Sequence, residues 1–232
     1  MSDDNRMLRA ALKYAAIGWY VFPLRSHATA THDIKMPHPM LGPKNGHLLA
    51  SIDSKQIREW WTTDPKAGIG VFLAKSGLIA FDTDPKDHGP DKLKAIEAQH
   101  GELLSPVSQI SGSGGEHRVF AAPAGLTPPG KLLGTKGVDI KYNGYIVVSP
   151  SMHPNGRRYS WRKGCDPFEN LDFLPNVPQW TLQYRPGTEV TSVAGVVTDD
   201  VFAEDTPKVG KSLDQISDLL ELIPNSGTDE RD

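Results

Sequence analysis

From Gly68 to Trp161 the chain is a succession of apolar runs only a few residues long: Ile69–Leu73, Leu78–Phe81, Val107–Ile110, Arg118–Ala122, Val138–Tyr142, Tyr145–Ser149 and Arg157–Trp161. Each is bounded by glycine, proline, serine or asparagine, as short strands are. One helical period interrupts them, Pro90–His100, with proline in its first turn and Gly101 past its end. Strands this short and closely spaced pair most economically with one another. The expectation is therefore an α/β fold of the α+β kind, built around a mixed or antiparallel sheet. Ser76-Gly77 reads as the turn of a hairpin between the first two runs. Asn155-Gly156, within His153-Pro154-Asn155-Gly156, reads as the turn between the last two.

Upstream, Asn5–Ala16 places Leu8, Ala11, Leu12, Ala15 and Ala16 at helical spacing before Gly18. Trp19–Leu24 reads as a strand, and Arg25–Ser51 as an irregular stretch carrying His27, His32, His38 and His47. Ser54 is expected to cap a helix through Trp61, with Ile57, Trp60 and Trp61 on its apolar side. Composition changes at Arg185-Pro186-Gly187, which divides the chain into a compact domain (1–186), an acidic linker (187–210) and a terminal segment (211–232). In that last segment Ser212 and Gln215 fit a capping box, and Leu213, Ile216, Leu219, Leu220 and Ile223 form a stripe. An amphipathic helix of this kind is expected to open a further helical domain of a longer protein.

The formal net charge of -3 is unevenly distributed. Residues 187–232 hold eleven acids against three bases, a net of -8, which leaves +5 on the rest. Within Lys131–Lys163, Lys131, Lys136, Lys141, Arg157, Arg158, Arg162 and Lys163 face Asp139 alone, a local +6. A polyanionic backbone would be drawn to such a segment. No apolar run approaches the roughly 20 residues that span a bilayer, so no membrane is expected and the cytoplasm is the expected compartment. The single cysteine, Cys165, cannot form an internal disulfide or a cysteine-rich zinc site. The loop histidines fit no standard ligand spacing, and no zinc is expected.

Three segments carry chemistry. Leu78-Ile79-Ala80-Phe81-Asp82-Thr83-Asp84 is an apolar strand ending in two carboxylates one residue apart. Residues i and i+2 of a strand face one way, and a bound Mg²⁺ or Mn²⁺ is the usual way to make two such carboxylates favourable. Ser111-Gly112-Ser113-Gly114-Gly115-Glu116-His117 is a small-residue loop. Its backbone N–H groups, the Ser111 and Ser113 hydroxyls and the His117 ring can all donate to phosphate. In Gly137-Val138-Asp139-Ile140-Lys141, Asp139 is either paired with a lysine or a third metal ligand. Gly125-Leu126-Thr127-Pro128-Pro129-Gly130-Lys131 imitates a Walker A loop, but Leu132 stands where Ser or Thr should follow and two prolines remove donors.

These segments, in this order, resemble the bifunctional primase/polymerase domain of the archaeo-eukaryotic primase superfamily, found in phage and plasmid replication proteins. The resemblance spans residues 8–182 and includes Gly18-Trp19-Tyr20-Val21-Phe22-Pro23-Leu24, Lys35-Met36-Pro37, Gly144-Tyr145-Ile146-Val147-Val148-Ser149-Pro150-Ser151 and Tyr159-Ser160-Trp161. It implies an RRM-like catalytic sheet joined to a smaller α/β module. It further implies template-directed nucleotidyl transfer by a two-metal-ion mechanism, making primers and extending DNA from NTPs or dNTPs on a single-stranded template. Asp82, Asp84 and Asp139 would be the catalytic metal ligands, for two ions of Mg²⁺ or Mn²⁺. His117 would meet the triphosphate, with Ser111, Ser113, Gly114 and Lys141 beside it. Arg157, Arg158 and Arg162 would meet the template, and a helicase or helical primase region would follow in the full-length protein. Lys141 stands where an arginine is common, and Arg118 where an apolar residue is usual.

Two other classes share parts of the pattern. A metal-dependent glycosyltransferase also holds a diphosphate leaving group with Asp-x-Asp, and would act on nucleotide sugars. A non-catalytic origin-binding or single-strand-binding module would hold DNA undiminished in EDTA and incorporate nothing.

Overall fold

The computed structural model describes residues 6–42 and 46–183; the expected acidic linker (187–210) and terminal helix (211–232) lie outside them. Helix α1 (Arg6–Ala16) buries Met7, Ala11, Leu12, Tyr14 and Ala15, the stripe that its apolar spacing dictates. Strand β1 (Val21–Leu24) is buried along its length. Helix α2 (Ser54–Thr63) buries Ile57, Trp60 and Trp61. Its cap is Asp53 and not the expected Ser54: the Asp53 carboxylate accepts from the Lys55 N–H at 3.0 Å. A cap must lie outside the helix with extended backbone, which Asp53 has (φ -71°, ψ 115°) while Ser54 is already helical.

Strand β2 (Gly68–Phe72) pairs antiparallel with β1 on one side and with β7 (Tyr145–Val147) on the other. This three-stranded sheet and helices α1 and α2 form the smaller module. The larger sheet contains β3 (Leu78–Thr83), β4 (Ser108–Ile110), β5 (Glu116–Ala121), β6 (Val138–Lys141) and β8 (Ser160–Trp161), in the order β6-β3-β5-β4-β8. Every pairing in it is antiparallel. Its first strand, β3, lies between β6 and β5, and helix α3 (Gly89–His100) crosses from β3 to β4, as in an RRM-like sheet. Where such a sheet has its second crossover helix, residues 122–137 form a loop with one 3-10 turn, Leu132–Gly134. A last short helix, α4 (Pro167–Asn170), is capped by Asp166.

The expected hairpin at Ser76-Gly77 is not formed, because β2 and β3 belong to different sheets. Leu73 turns into the right-handed helical region, Ala74–Ser76 make a 3-10 turn, and Gly77 takes a left-handed conformation (φ 67°). The link is therefore a coil that carries the chain between sheets. The Ser76 hydroxyl fixes it, donating to the Phe72 carbonyl at 2.7 Å and accepting from the Tyr20 N–H at 2.9 Å. Tyr145–Ser149 and Arg157–Trp161 likewise enter different sheets. The Asn155-Gly156 turn does form, but it closes only the bridge between Met152 and Arg158.

Both faces of the larger sheet are covered. Ile79 and Phe81 join Phe120, Val138, Ile140 and Leu93 of α3 in one core. Leu78, Ala80, Val107 and Val119 face the other way and pack with Tyr14, Trp19, Ile69 and Val71 of the smaller module. Fully burying an aliphatic or aromatic side chain contributes roughly 1.5–3 kcal/mol, so these two layers dominate the fold. Among the described residues no helix is long and apolar enough to cross a membrane.

Candidate active site

Asp82 continues the Leu78–Ala80 row of β3 on the face toward the smaller module, just where that row passes beyond the apolar core. The register then sets a line across the sheet. Asp82 is paired with Asp139 on β6 and with His117 on β5; His117 is paired with Gln109 on β4, and Gln109 with Trp161 on β8. Directly opposed residues of antiparallel strands share a face, so all five strands contribute one side chain to a single row. The row runs from the fully buried Gln109, through His117 at 6% exposure, to the half-exposed Asp82 and Asp139.

His117 Nε2 stands 3.4 Å from Asp82 Oδ1. Lys141 Nζ is 2.8 Å from Asp139 Oδ2 and 3.9 Å from Asp82 Oδ2, so one ammonium serves both carboxylates. Burial alone would raise the Asp82 carboxyl, but the His117 contact and the charges of His117, Lys141 and Lys35 hold it below the ordinary carboxylate value. Asp84 lies one residue beyond β3. Its side chain accepts from the Lys86 N–H at 3.1 Å and meets Lys86 Nζ at 3.0 Å. Its backbone is tied three ways, with the Asp84 N–H donating to Gly137 and its carbonyl accepting from Asp87 and Gly89.

Among the described residues no group of three or more His, Cys, Asp or Glu side chains is gathered closely enough to hold a metal ion as it stands. The donor set nonetheless suits a hard divalent cation: carboxylate oxygens, on one end of one strand and its neighbour, each already balanced by a lysine ammonium. The four loop histidines are separately engaged. His38 caps a 3-10 turn and meets Asp64, His47 packs against Phe22, Phe72 and Tyr145, and His27 and His32 meet neighbouring hydroxyls.

The glycine loop is more self-contained than its sequence suggests. The Gly114 N–H donates to the Ser111 carbonyl and the Gly115 N–H to the Ser111 hydroxyl, which also meets the Ser113 hydroxyl at 2.9 Å. Two backbone donors expected for phosphate are thus spent within the loop, while Ser113 and Gly114 are exposed. Gly115 is required by space, since a Cβ there would lie 2.3 Å from the Thr83 carbonyl oxygen. Asn155 closes over the loop, donating to the Gly112 carbonyl at 2.7 Å.

The three arginines differ. Arg157 and Arg158 are exposed on the Asn155-Gly156 turn, with Arg158 donating to the Pro150 carbonyl. Arg162 is 2.6 Å from Glu116, whose other oxygen is 3.1 Å from Arg118 Nε. Arg118 also meets Glu97 of α3 at 2.6 Å, which accounts for a cation in a place that is usually apolar.

Reading the sequence alone missed Gln109, and it gave Lys35 and Tyr159 no role. Lys35 lies on a loop anchored by Tyr145, whose hydroxyl donates to the Lys35 carbonyl at 3.1 Å. The Tyr159 ring is 5.9 Å from His117 and 5.8 Å from His153, and burial together with the Asp82 and Asp33 charges raises its hydroxyl well above the ordinary range. Both sit in segments that carry the family resemblance, Lys35-Met36-Pro37 and Tyr159-Ser160-Trp161, which was the available signal.

Comparison with curated proteins found no match. A family model does match, that of the bifunctional DNA primase/polymerase, N-terminal (Prim-Pol), over residues 11–180. That interval takes in both sheets and every residue of the row, and on this ground the chain belongs to the Prim-Pol family.

Proposed function

We propose that this chain is a primase-polymerase that makes primers and extends DNA by template-directed nucleotidyl transfer, with Asp82, Asp84 and Asp139 holding two Mg²⁺ or Mn²⁺ ions. The observation that carries the reading is the register that makes Asp82 the direct neighbour of both Asp139 and His117. Two acids and a ring donor on one row suit a ligand bearing both divalent cations and phosphate oxygens. When bound, the ions supply Lewis-acid activation of a primer 3′-hydroxyl and neutralise charge on the departing pyrophosphate.

The chain's own groups divide the remaining work. His117 presents its Nε2 side to the triphosphate, and the exposed Ser113 hydroxyl meets the phosphates at the rim of a loop whose Gly114 and Gly115 N–H groups are already bonded to Ser111. Lys141 holds positive charge beside Asp82 and Asp139 and turns it toward the nucleotide. Arg157 and Arg158 engage the template backbone. Arg162 joins them by exchanging Glu116 for a phosphate. Gln109 and His117 are buried while Asp82 and Asp139 are half-exposed, so the nucleotide reaches the row at the two acids, and the template arginines lie toward the opposite edge of the sheet, beside β8. The family resemblance supports a phage or plasmid replication protein as the setting, with a helicase or helical primase region as partner.

The test is incorporation of labelled nucleotides with Mg²⁺ or Mn²⁺, on single-stranded DNA and on a primed template. Asp82→Ala is expected to lower synthesis by more than about a hundredfold while leaving the fold intact. Full synthesis in Asp82→Ala, or DNA binding indifferent to EDTA without any incorporation, overturns the reading.

A further inference from the structure

Gln109 is an uncharged side chain with no exposed surface, on β4 between β5 and the edge strand β8, and all of its hydrogen-bonding capacity toward the site is committed. Its Nε2 donates to the Val147 carbonyl at 2.6 Å and stands 2.9 Å from His117 Nδ1, and its Oε1 accepts from the Ser149 N–H at 3.1 Å. The two backbone partners fix which end of the amide is which. A carbonyl oxygen only accepts and a backbone N–H only donates, so turning the amide over would lose both bonds. Its nitrogen therefore faces His117 Nδ1 as a donor. In the neutral ring Nδ1 must then be the acceptor, and the proton sits on Nε2.

From this geometry we infer that Gln109 is a positioning residue that sets the tautomer and ring orientation of His117, so that an N–H donor faces the carboxylates and the triphosphate. Phosphate oxygens are acceptors, and of the two neutral tautomers only the one with Nε2–H can donate on that side. Gln109 also stops the ring from turning over about its Cβ–Cγ axis, which would replace Nε2 by a carbon. The polar contacts that hold Gln109 come from β7 and the residue pair beyond it, in the smaller module. The orientation of a side chain in the larger sheet is thus set by the other sheet. The inference rests on the nucleotide reading given above for what His117 contacts, but not for how the ring is held.

The test has two parts, neither of which requires synthesis. In protein labelled with ¹⁵N-histidine, at a pH where the ring is neutral, the long-range ¹H–¹⁵N pattern of His117 is expected to be that of a single Nε2-protonated form with an acceptor Nδ1. An Nδ1-protonated ring in the unaltered protein overturns the inference without any variant, which covers the case in which a variant fails to fold. In the second part, equilibrium binding of a deoxynucleoside triphosphate is measured in a cycle of Gln109→Met and His117→Ala. Gln109→Met is expected to weaken binding about tenfold on its own and to have no further effect in the His117→Ala background. An equal loss in both backgrounds, or a lowered melting temperature with unchanged affinity, overturns it by showing that Gln109 acts on the fold alone. If the unaltered protein binds nucleotide but synthesises nothing, the polymerase reading fails while the ring pattern and the cycle still decide the role of Gln109.

Discussion

Lys141 stands where a divalent cation would stand with respect to charge, 2.8 Å from Asp139 and 3.9 Å from Asp82. Removing it leaves two facing carboxylates without their shared ammonium. A half-exposed pair of this kind contributes little to stability, up to about 1 kcal/mol. Lys141→Ala is therefore expected to melt near the unaltered protein in EDTA but to gain more stability from Mn²⁺, as melting curves with and without the ion will show. Glu116 presents the opposite case, a carboxylate enclosed by Ser108, Arg162 and Arg118. Burial alone would raise its carboxyl, and those three partners outweigh burial and hold it below the ordinary 4.5. A carboxyl depressed in the fold stabilises above the unfolded value, and that contribution is lost as the pH falls through the folded one. Glu116→Gln should cost about 2 kcal/mol at neutral pH, and the difference should shrink on acidification below about 4.5, measured by urea midpoints across pH. Asp82 and Asp84 were legible from the sequence because two acids closing an apolar strand are conspicuous. Gln109 was not, because nothing in Ser108-Gln109-Ile110 records that β7 will pass above it.

At the level of elements, the glycines set how closely the pieces approach. A Cβ on Gly89 would fall 2.1 Å from the Gly137 carbonyl oxygen and 2.7 Å from the Asp84 nitrogen. Helix α3 starts against Asp84 only because there is no side chain between them. Gly89→Ala should destabilise by about 3 kcal/mol, read from chemical denaturation, and should cost synthesis disproportionately because Asp84 must move. The same scale explains what the sequence revealed and what it hid. Alternation in Val138-Asp139-Ile140-Lys141 correctly puts Val138 and Ile140 in the core and Asp139 and Lys141 on the site face. Short apolar runs announce strands, but partner choice depends on turn geometry. At Leu73–Gly77 a helical turn ending in a left-handed glycine replaced the two-residue reversal that Ser76-Gly77 suggested.

Across the whole molecule the two modules are joined by shared core, by the Gln109 amide and by the Tyr14 hydroxyl. Tyr14 of α1 donates to the Ser149 carbonyl at 2.6 Å and accepts from Trp161 Nε1 of β8 at 2.8 Å. Tyr14→Phe leaves both partners unpaired and should cost about 2 kcal/mol, with unfolding still a single transition that far- and near-ultraviolet signals report together. Separate transitions for the two signals would mean that the modules are held less firmly than this. The crossings between the sheets also have a consequence for how such a protein can be recombined. Phe72 and Tyr145 are register partners on β2 and β7, so everything between them departs from and returns to one point of the smaller sheet. Residues 73–144 are in effect a cassette plugged into a two-strand socket, carrying Asp82, Asp84, His117 and Asp139 together, with only the two residues of β8 left behind. A graft exchanging that cassette between relatives would transfer the acids and the histidine intact while leaving Val147 and Ser149, which hold Gln109, with the recipient.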